Sequence, residues 1–144
     1  MLISTGLRNS ILVKLASEFE DGVTAEIEIF AGAVPATADA AVTGHTLLGT
    51  VQNTGATALT FGAPSSGVLS KSTDESWTVT PTATGTASFY RLVLDDDDES
   101  LSTTLVRIQG TVDIANADML VDSTTFTISV PRTVSSFSIG MTSS

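Results

Sequence analysis

The sequence predicts a mainly β domain, a single β-sandwich or jelly roll with one short N-terminal amphipathic helix. Three observations predict it. Ser and Thr together supply 41 of the 144 residues and recur between short apolar stretches. From Thr24 apolar and polar residues alternate with a period of two, the pattern of a half-buried strand, and about eight further short strand candidates follow. Gly, Pro, Asn or Asp punctuates that alternation at short intervals, as turns between strands require.

The elements follow in order. Residues 5 to 19 carry the one helical period: Leu7, Ile11, Leu12, Leu15 and Phe19 fall on a stripe, with Ser4 or Thr5 placed to cap the first turn. Arg8, Asn9, Lys14 and Glu18 fill much of the opposite face, and Asp21-Gly22 stops the helix. From Thr24 the period becomes two, with Ala25, Ile27 and Ile29 on one face and Glu26 and Glu28 directed to water. Ala31 to Pro35 breaks this strand, because proline donates nothing to a ladder and restricts the residue before it. A small-residue segment, Ala36 to Gly44, crosses to the next strand.

Further strands are expected at Thr46–Gln52, Ala58–Phe61, Gly67–Ser70, Ser76–Thr80, Thr86–Leu94, Thr103–Val112, Thr124–Val130 and Val134–Met141. Such a succession without intervening helices excludes a βαβ arrangement, and the lack of a repeat argues against a solenoid or propeller. The organisation is a helical segment, 1–22, followed by a β-sandwich domain, 23–144.

Bulk chemistry narrows function. Charged residues are only 15% of the chain, below the roughly 25% usual in soluble proteins, which suits burial in an assembly. Sixteen acidic residues against six scattered basic ones give a net charge of −10, which disfavours both a phosphate backbone and an anionic membrane surface. Without cysteine there is no disulfide, no thiolate nucleophile and no Cys-ligated zinc. The first residues lack a basic n-region and apolar core of signal-peptide length, so synthesis in the cytoplasm is expected.

Motifs for chemistry are few. His45 is the sole imidazole, and no G-x-S-x-G elbow or phosphate-binding glycine loop accompanies it. No catalytic residue, metal ligand or cofactor is assigned. The run Asp95-Asp96-Asp97-Asp98-Glu99 fails the EF-hand spacing, since Ser100 and Val106 stand where Gly and Glu are needed. It reads as a solvated hairpin tip, with a loose contact to a divalent ion or a basic partner as the functional alternative. Trp77, Phe89 and Tyr90 read as sheet packing. Arg91 and Arg107 lie inside strand patterns, where each needs a carboxylate or carbonyl; pairing within the chain and anchoring to a partner are both open.

Four segments taken together, ISTGLRNSIL from Ile3, VPATADAA from Val34, TGTASFYR from Thr84 and RIQGTV from Arg107, resemble small virion structural proteins of tailed bacteriophages. Gly44–Thr80 and Asp95–Glu99 fall outside the resemblance. It implies a non-enzymatic, β-rich subunit present in many copies on the virion. A capsid decoration (cement) protein that binds the major capsid protein lattice is favoured over a tail or neck adaptor or a receptor- or glycan-binding module. The partner-binding residues are then Leu7, Arg8, Ile11 and Leu12, where an apolar stripe meets a cation, and a homo-oligomer, taken as a trimer, is expected. Neither nucleic acid nor membrane is an expected partner.

Overall fold

The computed structural model describes residues 1–20, 25–55 and 57–143. One helix, α1 (Thr5–Glu20), precedes nine strands: β1 (Ala25–Ala31), β2 (Thr46–Asn53), β3 (Val68–Ser70), β4 (Trp77–Val79), β5 (Gly85–Leu94), β6 (Ile108–Asp113), β7 (Met119–Val121), β8 (Thr125–Phe126) and β9 (Arg132–Gly140). The fold is therefore mainly β with a short N-terminal helix. The expected helix stop at Asp21-Gly22, the strand start at Thr24 and the boundary between 22 and 23 lie outside the described residues.

The sandwich or jelly roll is corrected to a barrel. Seven strands pair in the order β1-β2-β4-β9-β7-β6-β5, and β5 pairs back onto β1, closing the sheet. Glu28 of β1 shows the closure directly, lying opposite Thr50 of β2 on one side and Arg91 of β5 on the other. Closure requires strands to bend and tilt. Register shifts at Ile29/Phe30, Phe30/Ala31 and Leu120/Val121 supply local bends. Period-two alternation is the same in two facing sheets and in one sheet rolled on itself, so it could not distinguish them. The short β3 and β8 lie off the ring, on β9 and β5, and β6–β7 is the one parallel pair among the described strands.

Inward-facing side chains fill the barrel around an aromatic centre. The Phe137 ring lies 5.6 Å from Trp77 and 5.1 Å from Tyr90, and all three are essentially solvent-free. Phe19, from the last turn of α1, joins this core, while Leu12 and Ala16 pack with Leu69 of β3 in a smaller cluster. The helix begins where Ser4 Oγ accepts the Leu7 amide at 3.2 Å, which selects Ser4 as its cap. Its buried positions, 12, 16 and 19, follow helical spacing, but the buried stripe is displaced from the expected one: Leu7 and Ile11 face solvent and Ala16 is covered instead.

A second layer lies outside the barrel. Phe30 and Phe89 project outward from β1 and β5, stack at 5.1 Å and are covered by Val42 and Leu47. The 32–45 loop that links β1 to β2 thus lies across the outer face of β1 and β5 rather than in solvent. Three strand expectations shrink for physical reasons. Ala58–Phe61 contributes only a bridge from Phe61 to Lys71. Thr103–Val112 starts late, at Ile108, because Arg107 is held by the preceding loop. Thr124–Val130 keeps two residues, since Ser129 takes a positive φ before Pro131. Met119–Val121 forms a strand too short to show an alternation.

Candidate functional site

The polar residues singled out by the sequence converge on the outer face of β1, β5 and β6, where they fasten the 32–45 and 95–107 loops. Arg91, 1% exposed, donates from Nη2 to the Ala40 carbonyl at 2.6 Å and from Nε to Gln109 Oε1 at 3.2 Å. Gln109 in turn donates to the Pro35 carbonyl at 2.8 Å. Arg107 grips Asp97 with two bonds, Nε to Oδ2 at 2.5 Å and Nη2 to Oδ1 at 2.6 Å, and donates to the Ser100 carbonyl at 2.8 Å. Arg107 therefore finds its oxygens inside the chain, and so does Arg91 through Nε and Nη2, while its buried Nη1 has no partner among the described residues. The loops also hold each other: Val42 N donates to Glu99 O, and Ser102 N to Asp39 O.

The acidic run departs from the wet tip that its composition suggests. The Asp97 and Arg107 side chains are 4% and 2% exposed, a buried and geometrically paired charge. Asp95, Asp96 and Asp98 remain exposed. The hydroxyl and amide of Ser100 bond the Asp98 carboxylate and hold it below its ordinary range. Glu28, expected in water, is half-buried. Burial, with Glu99, Glu26 and Asp97 around it and Arg91 opposing, pushes its carboxyl up to about 7. Burial also lowers the Arg91 guanidinium, helped by the nearby Arg107 and countered by Asp97, Glu28 and Glu99.

His45 is built into the same outer layer. Its Nδ1 and Nε2 lie 3.2 and 3.0 Å from the carbonyls of Val42 and Ala33, and its edge rests on Phe89. Among the described residues no three His, Cys, Asp or Glu side chains converge in a way that could hold a metal ion. No described helix is long and apolar enough to cross a membrane.

The four candidate partner residues divide. Leu12 is wholly buried against Leu69. Arg8 donates to the Met141 carbonyl and to Thr5 Oγ1, both at 2.9 Å, so its charge faces its own C-terminal strand. Asn9 accepts the Gly67 amide at 2.8 Å, so the helix is fastened at two points, and Gly67 accepts the Met141 amide at 2.8 Å, joining the two segments that hold it. At Gly67 φ is +78°, which favours glycine, and a Cβ there would also displace the Arg8 guanidinium, whose Nη1 lies 2.5 Å away. Leu7 is 49% exposed and Ile11 38% exposed, and these two remain on the surface.

Beside Ile11 the surface opens into a groove of about 340 Å³ between α1 and the residues leading into β6. Ile11, Leu15 and Phe19, spaced four apart, form one wall, and Val106 and Ile108 form the other. Sequence reasoning missed the second wall, because Val106 and Ile108 read as ordinary strand positions. The one available signal was Arg107 between them, a cation whose side chain must turn away from an apolar neighbourhood to find oxygen.

No family model matches this chain, and no curated protein or solved structure matches it either.

Proposed function

We propose that this chain is a non-enzymatic structural subunit of a tailed-bacteriophage virion, a capsid decoration or cement protein that binds and stabilises the major capsid protein lattice. The sequence resemblance supports this reading. The observation that carries it is the pair of exposed aliphatic side chains Ile11 and Val106 that face each other across a groove, with exposed Leu7 one helical turn from Ile11, on a closed barrel whose loops are pinned down from within. A rigid body with a local apolar surface suits contact between proteins, and about 800 Å² per partner makes an ordinary stable contact. Repetition over a shell multiplies such a contact through multivalency. Homo-oligomerisation, taken as a trimer, belongs to the same reading.

Co-sedimentation of the purified protein with virions and with emptied heads tests it. Binding at many sites per head, with immunogold label over the capsid, is the expected result. Label confined to the neck or tail would overturn the cement assignment, and the absence of particle binding would overturn the structural role altogether.

A further inference from the structure

We infer that the groove between α1 and residues 106–108 receives an aliphatic segment flanked by lysines or arginines, contributed by the protein to which this chain attaches. The inference deepens the structural reading above and rests on it. Phe19 and Leu15 form the inner part of the groove, and Ile11 and Val106, 38% and 40% exposed, form its lips. Its volume lies at the lower end of ligand-sized pockets and suits a few aliphatic side chains presented by one helix or extended strand.

Charge identifies the chemistry of the occupant. Five of the six cations are bound to oxygens of this chain: Arg8 to Met141, Lys71 to Glu75, Arg91 to Ala40, Arg107 to Asp97 and Arg132 to Thr125. Of these only Arg107 is paired with a carboxylate; the other four hold neutral carbonyls, and the chain as a whole keeps a net charge of −10. Arg107, which lines the groove, holds Asp97, so the exposed Asp95, Asp96 and Asp98 stand within a few residues' reach of the groove's edge, and Glu18 lines the helix side. Of the two cations on the wall, Arg107 is already paired with Asp97, and Lys14 is set against Glu18 and the exposed carboxylates of the 95–98 run. A second copy of this chain would bring another −10 to the same place, whereas a basic segment finds complementary potential.

The test uses two synthetic peptides with identical leucine spacing, one with lysine and one with glutamate at the intervening positions, titrated into the full isotope-labelled chain. The lysine peptide is expected to shift amide resonances of residues 11–19, 95–98 and 106–108 together, and the glutamate peptide to shift none. Val106→Asn and Ile11→Asn, at half-exposed sites that leave the fold intact by circular dichroism, should each weaken the lysine peptide at least tenfold. Replacing Asp95, Asp96 and Asp98 together with Asn should weaken it similarly and flatten its salt dependence. Shifts spread over the acidic surface and indifferent to Val106→Asn would overturn the inference. So would groove shifts that grow with protein concentration in the absence of peptide, which would make a second copy the occupant. Particle binding separates the two levels: a Val106→Asn variant that sediments with virions as wild type does refutes the groove and spares the structural role, whereas wild type that never sediments refutes the role itself.

Discussion

Glu28 makes the stability of this barrel depend on pH in an unusual direction. Its carboxyl is pushed from 4.5 to about 7 in the folded chain, by burial first and then by Glu99, Glu26 and Asp97. Arg91, opposite it on β5, works against the shift, and Thr50, its neighbour on β2, carries no charge. Below pH 4.5 both folded and unfolded chains hold the proton, and Glu28 costs nothing. Between 4.5 and 7 the unfolded chain releases its proton while the folded chain keeps it, so stability falls as pH rises through this window. Above 7 both are ionised and the full cost remains. A shift of this size has a ceiling of about 3.4 kcal/mol. Because the side chain is half-exposed, solvent screening reduces it to about 1–2 kcal/mol. Other carboxylates slope the opposite way; Glu75, which burial alone would raise, is held below its usual range by bonds from Trp77 and Thr60. The difference between wild type and Glu28→Gln isolates the one group. Urea unfolding followed by fluorescence of the single, buried Trp77 should give a variant close to wild type at pH 4.5 and more stable by about 1–2 kcal/mol at pH 8, with unchanged m. Parallel stability curves across that range would refute the electrostatic account of Glu28.

Three further outcomes follow from named contacts. Asp97→Asn leaves the buried Arg107 guanidinium without its paired charge and should cost about 2–3 kcal/mol by the same urea assay. It should also lower the Glu28 pKa, measurable by side-chain carboxyl NMR, since Asp97 is one of the charges that raises it. Leu12→Ala removes a solvent-free side chain and should cost about 2–4 kcal/mol, whereas Leu7→Ala with Ile11→Ala should cost under about 1 kcal/mol and lose particle binding. Gly110→Ala puts a Cβ 2.6 Å from the Tyr90 hydroxyl and 2.8 Å from Asp118 Oδ2, and overpacking there should lower stability by about 1–3 kcal/mol, seen as a reduced thermal midpoint.

The sequence shows the strands because alternation is a local property, and it hides the barrel because closure is not. Ile27 and Ile29 point inward whatever pairs beside them, but only the three-dimensional register sets β1 between both β2 and β5. The same limit governs the charged loop. Five consecutive acids argue for water on the strength of their own repulsion, yet Arg107, ten residues beyond Asp97, outweighs that repulsion by offering two aligned donors. The helix was legible as a helix, and its stripe was nearly so. Ala16 is too small to weigh in a reading of apolar periodicity, so the expected stripe of Leu7, Ile11, Leu12, Leu15 and Phe19 omits it and takes in Leu7 and Ile11, whereas contact with Leu69 buries Leu12 and Ala16. The groove was invisible for a related reason: one wall is helical, the other belongs to a loop more than eighty residues away, and neither wall alone departs from what a core would require.

The disposition of cations links the fold to its proposed role. Arginine reaches the carbonyls of Ala40, Ser100, Thr125 and Met141, so the basic side chains hold this chain's own segments in place. Arg107 alone forms an ion pair among the described residues, and sixteen acidic residues leave the chain at a net charge of −10. Copies in free solution then repel one another within a Debye length of about 8 Å. Under the proposed role, that excess of negative charge would keep free copies apart and leave attachment to a larger, less acidic surface.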